Sequence, residues 1–394
     1  MKNLIRLLTL AALATFASLT AFAQDTAAPA AAANPCEEAA RTELYTKYYE
    51  MKKGDAAAQK QAYGIAQEYL TKYASCNDQY SKAVQKFVGQ YDAAVRVTEF
   101  PKYLYGTDAQ NTGRDFAKAF ALGKEILAAT PNDLGVLINL GYAGYTAQSL
   151  NPAVTTYSAD SLNYAKTAIQ MIEAGQNPAS WTPFKGKEDS LGYLNFAVGE
   201  YLIKSNPSEA LPYYLKAATF APTKETPLTY GRLAWAYQTS QYEPMQKEFT
   251  AKYGGKPETE ESKHALNNLN QVMDRVMDAY ARAISLAGTK PELQQAKAGW
   301  MELLTGFYKF RNNDSTNGLD AFIASAVSKP LPQPFTPQPY VPSATPAPTT
   351  GAASEGNGNG ATDVTATPAA TAPAATTQPA AATAAKPKPA TKKP

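Results

Sequence analysis

Few residues in this sequence have the types and spacings that catalysis or metal binding requires. The chain of 394 residues contains one histidine and two cysteines. A zinc site needs about four Cys, His or carboxylate ligands at fixed spacing, and a catalytic triad needs a positioned base, most often histidine. The one candidate base, His264, stands in a polar stretch of helical pattern, where we expect a solvated surface residue. We therefore predict no catalytic residue, no metal ligand and no cofactor.

Three glutamates ahead of a helical stretch are the remaining candidates for a metal cluster: Glu258, Glu260 and Glu261. Acidic residues also favour the N-terminus of a helix, where the helix dipole places partial positive charge. We prefer the second interpretation, because loose carboxylates are common on protein surfaces. A glycan-processing enzyme would need two carboxylates that face one cleft. Sequence spacing does not decide that point, so this third class of function stays open.

The N-terminal residues have the pattern of a secretory signal peptide, which we assign to residues 1–23. Lys2 and Arg6 precede an apolar run, and small residues at Ala21 and Ala23 form a cleavage site. An uncleaved anchor is the alternative, although the run is short for a membrane span of about 20 residues. We expect export in a bacterium, to the periplasm or the extracellular space, with no membrane span after cleavage.

Export favours a disulfide between the two cysteines, because paired cysteines tend to join in an oxidising compartment. Cys36 opens the first predicted helix and Cys76 closes the second. In an antiparallel helix hairpin the start of one helix lies beside the end of the next. We therefore predict a disulfide, with two separate reduced thiols as the alternative.

The charge balance argues against a nucleic-acid partner. The formal net charge is only +3, and basic and acidic residues nearly balance once the leader and the C-terminal tail are set aside. Nucleic-acid binders usually concentrate basic residues in a stripe. No such stripe is found between the leader and the tail.

Composition divides the remainder into three segments. An Ala/Pro linker covers residues 24–35, and helical periodicity interrupted by Pro- and Asn-containing breakers covers residues 36–329. Residues 330–394 are rich in Pro, Ala and Thr with few large apolar side chains, which predicts disorder. The tail is either a spacer or a tether that contacts the cell wall.

Two residue patterns recur along the helical segment. The first places a large apolar residue beside a tiny one, with tyrosine a turn later, in Asn139-Leu140-Gly141…Tyr145, Asn195-Phe196-Ala197…Tyr201 and Arg232-Leu233-Ala234…Tyr237. The second is clearest in Ala210, Tyr214 and Ala217, with copies that start at Ala62, Ala119, Val276 and Leu319. Each pattern puts its residues on one helix face, where the tiny residue permits close approach of a neighbouring helix.

These patterns resemble the tetratricopeptide repeat family, whose repeat is a pair of antiparallel helices. The resemblance covers roughly residues 114–329, with a long linker at residues 151–161 and one long helix over residues 258–287 as departures. It implies an all-α solenoid of αα-hairpins, a right-handed superhelix whose first helices line a concave groove. The implied groove positions are Asn139, Tyr142, Tyr145, Asn195 and Arg232.

We accordingly expect a non-enzymatic scaffold of the bacterial envelope that binds a peptide or partner protein in the groove. A wall-associated structural protein attached through its Pro/Ala/Lys-rich tail is the alternative. An asparagine in the groove could hold a peptide backbone through its donor and its acceptor. The opposing interpretation is that these asparagines bond neighbouring helices.

Overall fold

The computed structural model describes residues 36–342, which form helices, turns and extended chain without a β-strand. The chain divides into two compact units, Met1–Val95 and Arg96–Pro394. The signal peptide and linker expected in residues 1–35, and the tail beyond residue 342, lie outside the described residues. Within residues 36–342 no helix is both long and apolar enough to cross a membrane.

The first unit is a helix hairpin followed by the start of a third helix. Its elements are α1 (Glu38–Met51), α2 (Ala56–Tyr73) and the first part of α3 (Gln79–Tyr105). Asp55 caps α2 by accepting a hydrogen bond from the Ala58 N–H, 2.9 Å away. The core contains Tyr48, Val84 and the repeat positions Ala62, Ala66 and Tyr69, all fully buried. The sulfurs of Cys36 and Cys76 lie at disulfide-bond distance beside the hairpin ends, which confirms the predicted pairing.

As far as residue 342, the second unit continues from the end of α3 through eleven further α-helices. They are α4 (Phe116–Ala129), α5 (Leu134–Leu150), α6 (Ser158–Glu173), α7 (Lys187–Leu202), α8 (Pro207–Ala217), α9 (Ala221–Lys224), α10 (Pro227–Tyr237), α11 (Glu243–Tyr253), α12 (Glu260–Ala287), α13 (Gln294–Arg311) and α14 (Leu319–Ala326). Side chains of Asp115, Asp133, Asn206 and Thr259 cap α4, α5, α8 and α12. The predicted breakers fall at helix ends, and the long helix expected over residues 258–287 is α12.

Helices of the second unit pack mainly against their neighbours along the chain. Each of α4, α5, α6 and α7 packs on the helix that follows it, and α5 also packs on α7. Farther along, α10 packs on α8 and α12, and α12 packs on α13 and α14. In this unit the large and tiny residues of both recurring patterns are buried, and Ala210, Tyr214 and Ala217 are fully buried. The predicted core face of the helices is therefore confirmed.

Tiny residues set the closest approaches, as the pattern predicts. A Cβ added at Gly141 would lie 2.8 Å from the Cα of Ala165, so α5 and α6 touch there through backbone. At Gly199 an added Cβ would lie 2.6 Å from the ring of Tyr214, which fills that space.

The C-terminal segment differs from the expectation of a tail that is free from residue 330 onward. Residues 330–342 have no helix or strand, but Leu331 and Phe335 pack against the core of the second unit. Arg275 of α12 donates to the main-chain oxygen of Gln333 at 2.8 Å. Two apolar side chains and donors on α12 thus hold a segment whose composition alone indicates disorder.

Candidate functional site

Three largely buried helices, α5, α7 and α10, share a group of partly exposed side chains. We call this surface the α5–α7–α10 face. It comprises Asn139, Tyr142 and Tyr145 from α5, Tyr193 and Glu200 from α7, and Arg232 and Trp235 from α10, all of intermediate exposure. The end of α5 at Leu150 and the start of α7 at Lys187 are also exposed, but most other side chains of the three helices are buried. This face is therefore a surface of the three helices that another molecule can contact.

Asn139 uses its amide to join separate parts of the unit. Its Nδ2 donates to the main-chain oxygens of Gly135 at 2.7 Å and Thr182 at 3.1 Å. Its Oδ1 accepts a hydrogen bond from the Tyr105 hydroxyl. The amide therefore fixes the loop before α7 and the end of α3 against α5, and both of its N–H groups are engaged.

Tyr142 lies at the centre of a group of aromatic rings. Its ring centroid is 5.2 Å from that of Phe184 and 5.8 Å from that of Tyr193, both edge to face. Phe184 and Tyr193 stack at 5.6 Å. Such pairs contribute about 0.5–1.5 kcal/mol each beyond the area they bury. Burial raises the pKa of Tyr142, so its hydroxyl stays neutral across the physiological range.

Tyr145 lies beside a hydrogen-bonded junction between α5 and α7. Its main-chain N–H donates to the Tyr201 hydroxyl at 2.6 Å, and that hydroxyl donates to the Gly141 carbonyl at 2.9 Å. Tyr201 therefore bridges an N–H and a carbonyl that are one helical turn apart on α5. Because Tyr145 and Tyr201 occupy the same position in two copies of the repeat pattern, the tyrosine of one copy docks on the preceding copy.

A nearly buried ion pair joins α7 to α10. Arg232 Nε lies 2.6 Å from Glu200 Oε1, and the two side chains are 12% and 11% exposed. The Tyr214 hydroxyl of α8 donates to the same carboxylate at 2.7 Å. Burial and then the charge of Glu200 raise the pKa of Tyr214 well above its usual range. Removing either charge would leave the other buried and unpaired, which typically costs about 3–5 kcal/mol.

Arg232 also faces an aromatic ring, since its guanidinium carbon lies 5.8 Å from the ring centroid of Trp235. The guanidinium is held by Glu200 on one side and flanked by indole on another. Its geometry is fixed before any ligand arrives, and its charge is already balanced.

Asn195 does not belong to this face. It is fully buried, and its Nδ2 donates to the Leu191 carbonyl of the preceding turn at 2.8 Å. Of the five groove positions implied by the repeat resemblance, the structure brings together Tyr142, Tyr145 and Arg232, keeps Asn139 at the edge in a structural role, and places Asn195 inside.

Sequence reasoning missed Tyr193, Glu200 and Trp235. A signal was present for Glu200, because it is the one charged residue in α7 beyond the first turn, in an otherwise apolar run. Charged residues are almost never buried without a partner. A lone glutamate and a lone arginine in corresponding apolar helices therefore indicate an ion pair.

Glu258 lies just before α12, and Glu260 and Glu261 are in its first turn, so the three glutamates lie at a helix N-terminus, as we preferred. Lys263 lies 3.3 Å from Glu258 and 3.0 Å from Glu260, and Lys252 lies 2.6 Å from Glu261. Across residues 36–342 no group of acidic, histidine or cysteine side chains is placed to hold a metal ion. His264 is partly exposed and has its Nε2 2.9 Å from the Gln338 carbonyl oxygen.

The α5–α7–α10 face thus offers aromatic surfaces, phenol hydroxyls and a guanidinium whose charge is balanced. These groups suit the recognition of a molecule with both polar and apolar parts. The acid of the face, Glu200, and its base, Arg232, are already paired with each other. In comparisons with known proteins, no family model, no curated protein and no solved structure matches this chain.

Proposed function

We propose that this protein is a non-enzymatic binding scaffold of the bacterial envelope, which holds a peptide or partner protein on the α5–α7–α10 face. One observation carries the proposal: the partly exposed side chains that three largely buried helices share include Tyr142, Tyr145, Tyr193, Arg232 and Trp235. These residue types dominate the energetics of protein interfaces, because they bury large areas with few rotatable bonds. In the repeat interpretation, this face lies on the concave side of a right-handed superhelix.

The side chains of the face are held in place without a ligand. Tyr142 is wedged against Phe184 and Tyr193, and Arg232 is held by Glu200. Binding then requires little further loss of side-chain entropy, which otherwise costs about 0.5–1.5 kcal/mol for each side chain that becomes ordered. A preorganised surface of this kind favours tight binding.

The size of the face suggests the length of its ligand. Packed helices lie about 8–10 Å apart, so three of them present a surface on the order of 20 Å long. An extended chain rises about 3.3 Å per residue. A bound peptide would therefore contact the face through roughly six residues.

The compartment is part of the proposal. The disulfide-distance pair of Cys36 and Cys76 favours an oxidising environment. The proposed leader in residues 1–23 would deliver the chain to that environment.

The test is selection of random peptides displayed on phage against the full chain, followed by calorimetric titration of the enriched peptides. Trp235→Ala and Tyr142→Ala should each weaken binding about tenfold or more, because both rings lie on the face. Tyr164→Ala is the matched control, since Tyr164 lies on α6 and not on this face. Helical circular dichroism of each variant separates lost binding from lost folding.

Two results would count against this function. One is a selection that enriches no peptide above background. The other is a set of enriched peptides whose affinity is unchanged in Trp235→Ala and Tyr142→Ala but reduced in Tyr164→Ala.

A further inference from the structure

Residues 330–342 lie along one face of α12 and are held through their main-chain carbonyls. Arg282 Nη2 donates to the carbonyls of Lys329 at 3.0 Å and Pro330 at 2.8 Å. Farther along, Arg275 donates to Gln333 at 2.8 Å, and Asn268 donates to Gln338 at 2.7 Å. His264 Nε2 also lies 2.9 Å from the Gln338 carbonyl oxygen. The segment therefore runs antiparallel to α12, with four side chains of one helix directed at its backbone.

The spacing of Arg282 and Arg275 matches an extended ligand. Asn268, Arg275 and Arg282 are seven residues apart, which puts them on one helix face about 10 Å from one another. An extended or polyproline chain advances about 3.1 Å per residue, so the three residues from Pro330 to Gln333 cover one such step. The five residues from Gln333 to Gln338 would advance about 15 Å if extended, which exceeds the step of about 10 Å from Arg275 to Asn268, so the segment is less extended there.

Apolar contacts lie between the hydrogen bonds. Leu331 and Pro332 line the same small gap as Leu233, Tyr237 and Ala279, and that gap has no room for a water molecule. The Arg275 guanidinium lies 5.1 Å from the centroid of the Phe335 ring.

The Arg282 donor is itself fixed. Its Nε lies 2.6 Å from Asp278 Oδ2, and its side chain is only 5% exposed. Asp278 therefore orients the buried Arg282 guanidinium towards the carbonyls of the segment, so this donor is positioned to bind a main chain.

Proline suits this mode of binding. Nearly every second residue of the segment is proline: Pro330, Pro332, Pro334, Pro337, Pro339 and Pro342. Proline has no main-chain N–H, so it leaves no buried donor unsatisfied, and its restricted φ lowers the entropy lost on binding. The side chains of α12 supply donors to carbonyls, which are the groups that a proline-rich chain still offers.

We propose that this face of α12 is a binding site for extended, proline-rich polypeptides, and that residues 330–342 are its intramolecular ligand. The segment follows α14 after only a few residues, so its effective concentration at the site is in the millimolar range or above. A free segment of the same chemistry competes with it and binds when the intramolecular ligand is weakened. This inference depends on α12 and on Leu233 and Tyr237 of α10, which are buried and do not belong to the α5–α7–α10 face. Failure of that face as a peptide site therefore leaves it standing.

The experiment uses the full chain and a fluorescent synthetic peptide with the sequence of residues 329–342. Phe335→Ala in the protein weakens the intramolecular ligand, so we expect this variant to bind the peptide at least tenfold more tightly than the unmodified chain. Adding Arg275→Ala to the variant removes a donor and should reduce that binding about tenfold. Arg311→Ala is the matched control, because Arg311 pairs with Asp274 of α12 but is not directed at the segment.

A second peptide tests the ligand class, and proteolysis tests release. Replacing all prolines of the peptide with alanine should weaken binding several-fold. Chymotrypsin should cleave after Tyr340 faster in the Phe335→Ala variant than in the unmodified chain. The inference is overturned if the segment is released by this criterion and the peptide still does not bind, or if Arg275→Ala and Arg311→Ala reduce binding equally.

Discussion

Single residues determine how closely the helices of the second unit approach one another. At Gly141 the next helix comes so near that a methyl group would meet the backbone of Ala165. At Tyr201 a hydroxyl lies between the Tyr145 N–H and the Gly141 carbonyl. Sequence reasoning could predict that a tiny residue beside a large one marks a close contact. It could not identify the partner, because Tyr201 is 56 residues away from Tyr145.

The asparagines show the same limit. An amide in a repeat position can hold a ligand or a neighbouring helix, and the sequence cannot choose between these roles. Asn139 bonds to Thr182, which is 43 residues away, and Asn195 bonds within its own helix. The choice depends on which groups the fold brings near, and that information is not local.

A matched pair of glycine variants tests the close approach at α5. Alanine normally stabilises a helix interior relative to glycine by about 0.5–1 kcal/mol. Gly64→Ala on α2, where no atom lies within 4 Å of the added Cβ, should show that gain. Gly141→Ala should instead lower the free energy of unfolding by about 1–3 kcal/mol, because the new Cβ forces backbone apart. Urea denaturation measures both, and equal stabilisation of the two variants would contradict the packing described here.

At the level of elements, breakers and periodicity predicted most helices correctly, because caps and prolines act locally. Thr130-Pro131 and Lys290-Pro291 fall between helices, as expected. The docking of residues 330–342 was not predicted, since their composition indicates disorder and the compensating contacts come from α12. The regular spacing of Asn268, Arg275 and Arg282 was visible in the sequence. This spacing indicates a binding site only when the extended segment of residues 330–342 is seen beside it.

The disulfide gives a prediction for the first hairpin. Joining residues that are 40 positions apart restricts the unfolded chain and stabilises the folded one by about 4 kcal/mol in the chain-entropy model. The double variant Cys36→Ser/Cys76→Ser should therefore exchange the amide hydrogens of α1 and α2 much faster. Amides of α12 serve as the internal control, because α12 lies outside the closed loop. Unchanged protection of α1 and α2 would show that the cross-link contributes little to stability.

Across the whole molecule, tyrosine is the dominant aromatic residue, with 25 copies against 14 phenylalanines. Many are buried between helices in both units, among them Tyr48, Tyr69, Tyr214 and Tyr280. Tyrosine fills space as phenylalanine does, but it also carries a hydroxyl group that can ionise. The abundance of tyrosine was evident from the sequence, whereas burial of individual hydroxyls depends on how the helices pack.

This burial predicts a loss of stability at alkaline pH. Burial raises the pKa of Tyr237 and Tyr242 to about 12, whereas unfolded tyrosine titrates near pH 10. Between these values the folded state keeps protons that the unfolded state releases. The free energy of unfolding must therefore fall as pH rises above about 10, on the order of 2 kcal/mol for each such residue by pH 12.

Tyr242→Phe isolates one of these contributions. In residues 36–342 the Tyr242 hydroxyl has no hydrogen-bond partner, so the variant should be as stable as the unmodified chain, or slightly more so, at pH 8. Urea denaturation at pH 11 should then show the variant to be clearly more stable than the unmodified chain. The reason is that phenylalanine has no hydroxyl to ionise, so the variant does not lose the free energy of unfolding that ionisation of Tyr242 removes. Tyr49→Phe is the control, because Tyr49 is 42% exposed, and it should leave the alkaline loss in place. If Tyr242→Phe and the unmodified chain lost stability in parallel between pH 8 and pH 11, ionisation of Tyr242 would not be coupled to unfolding.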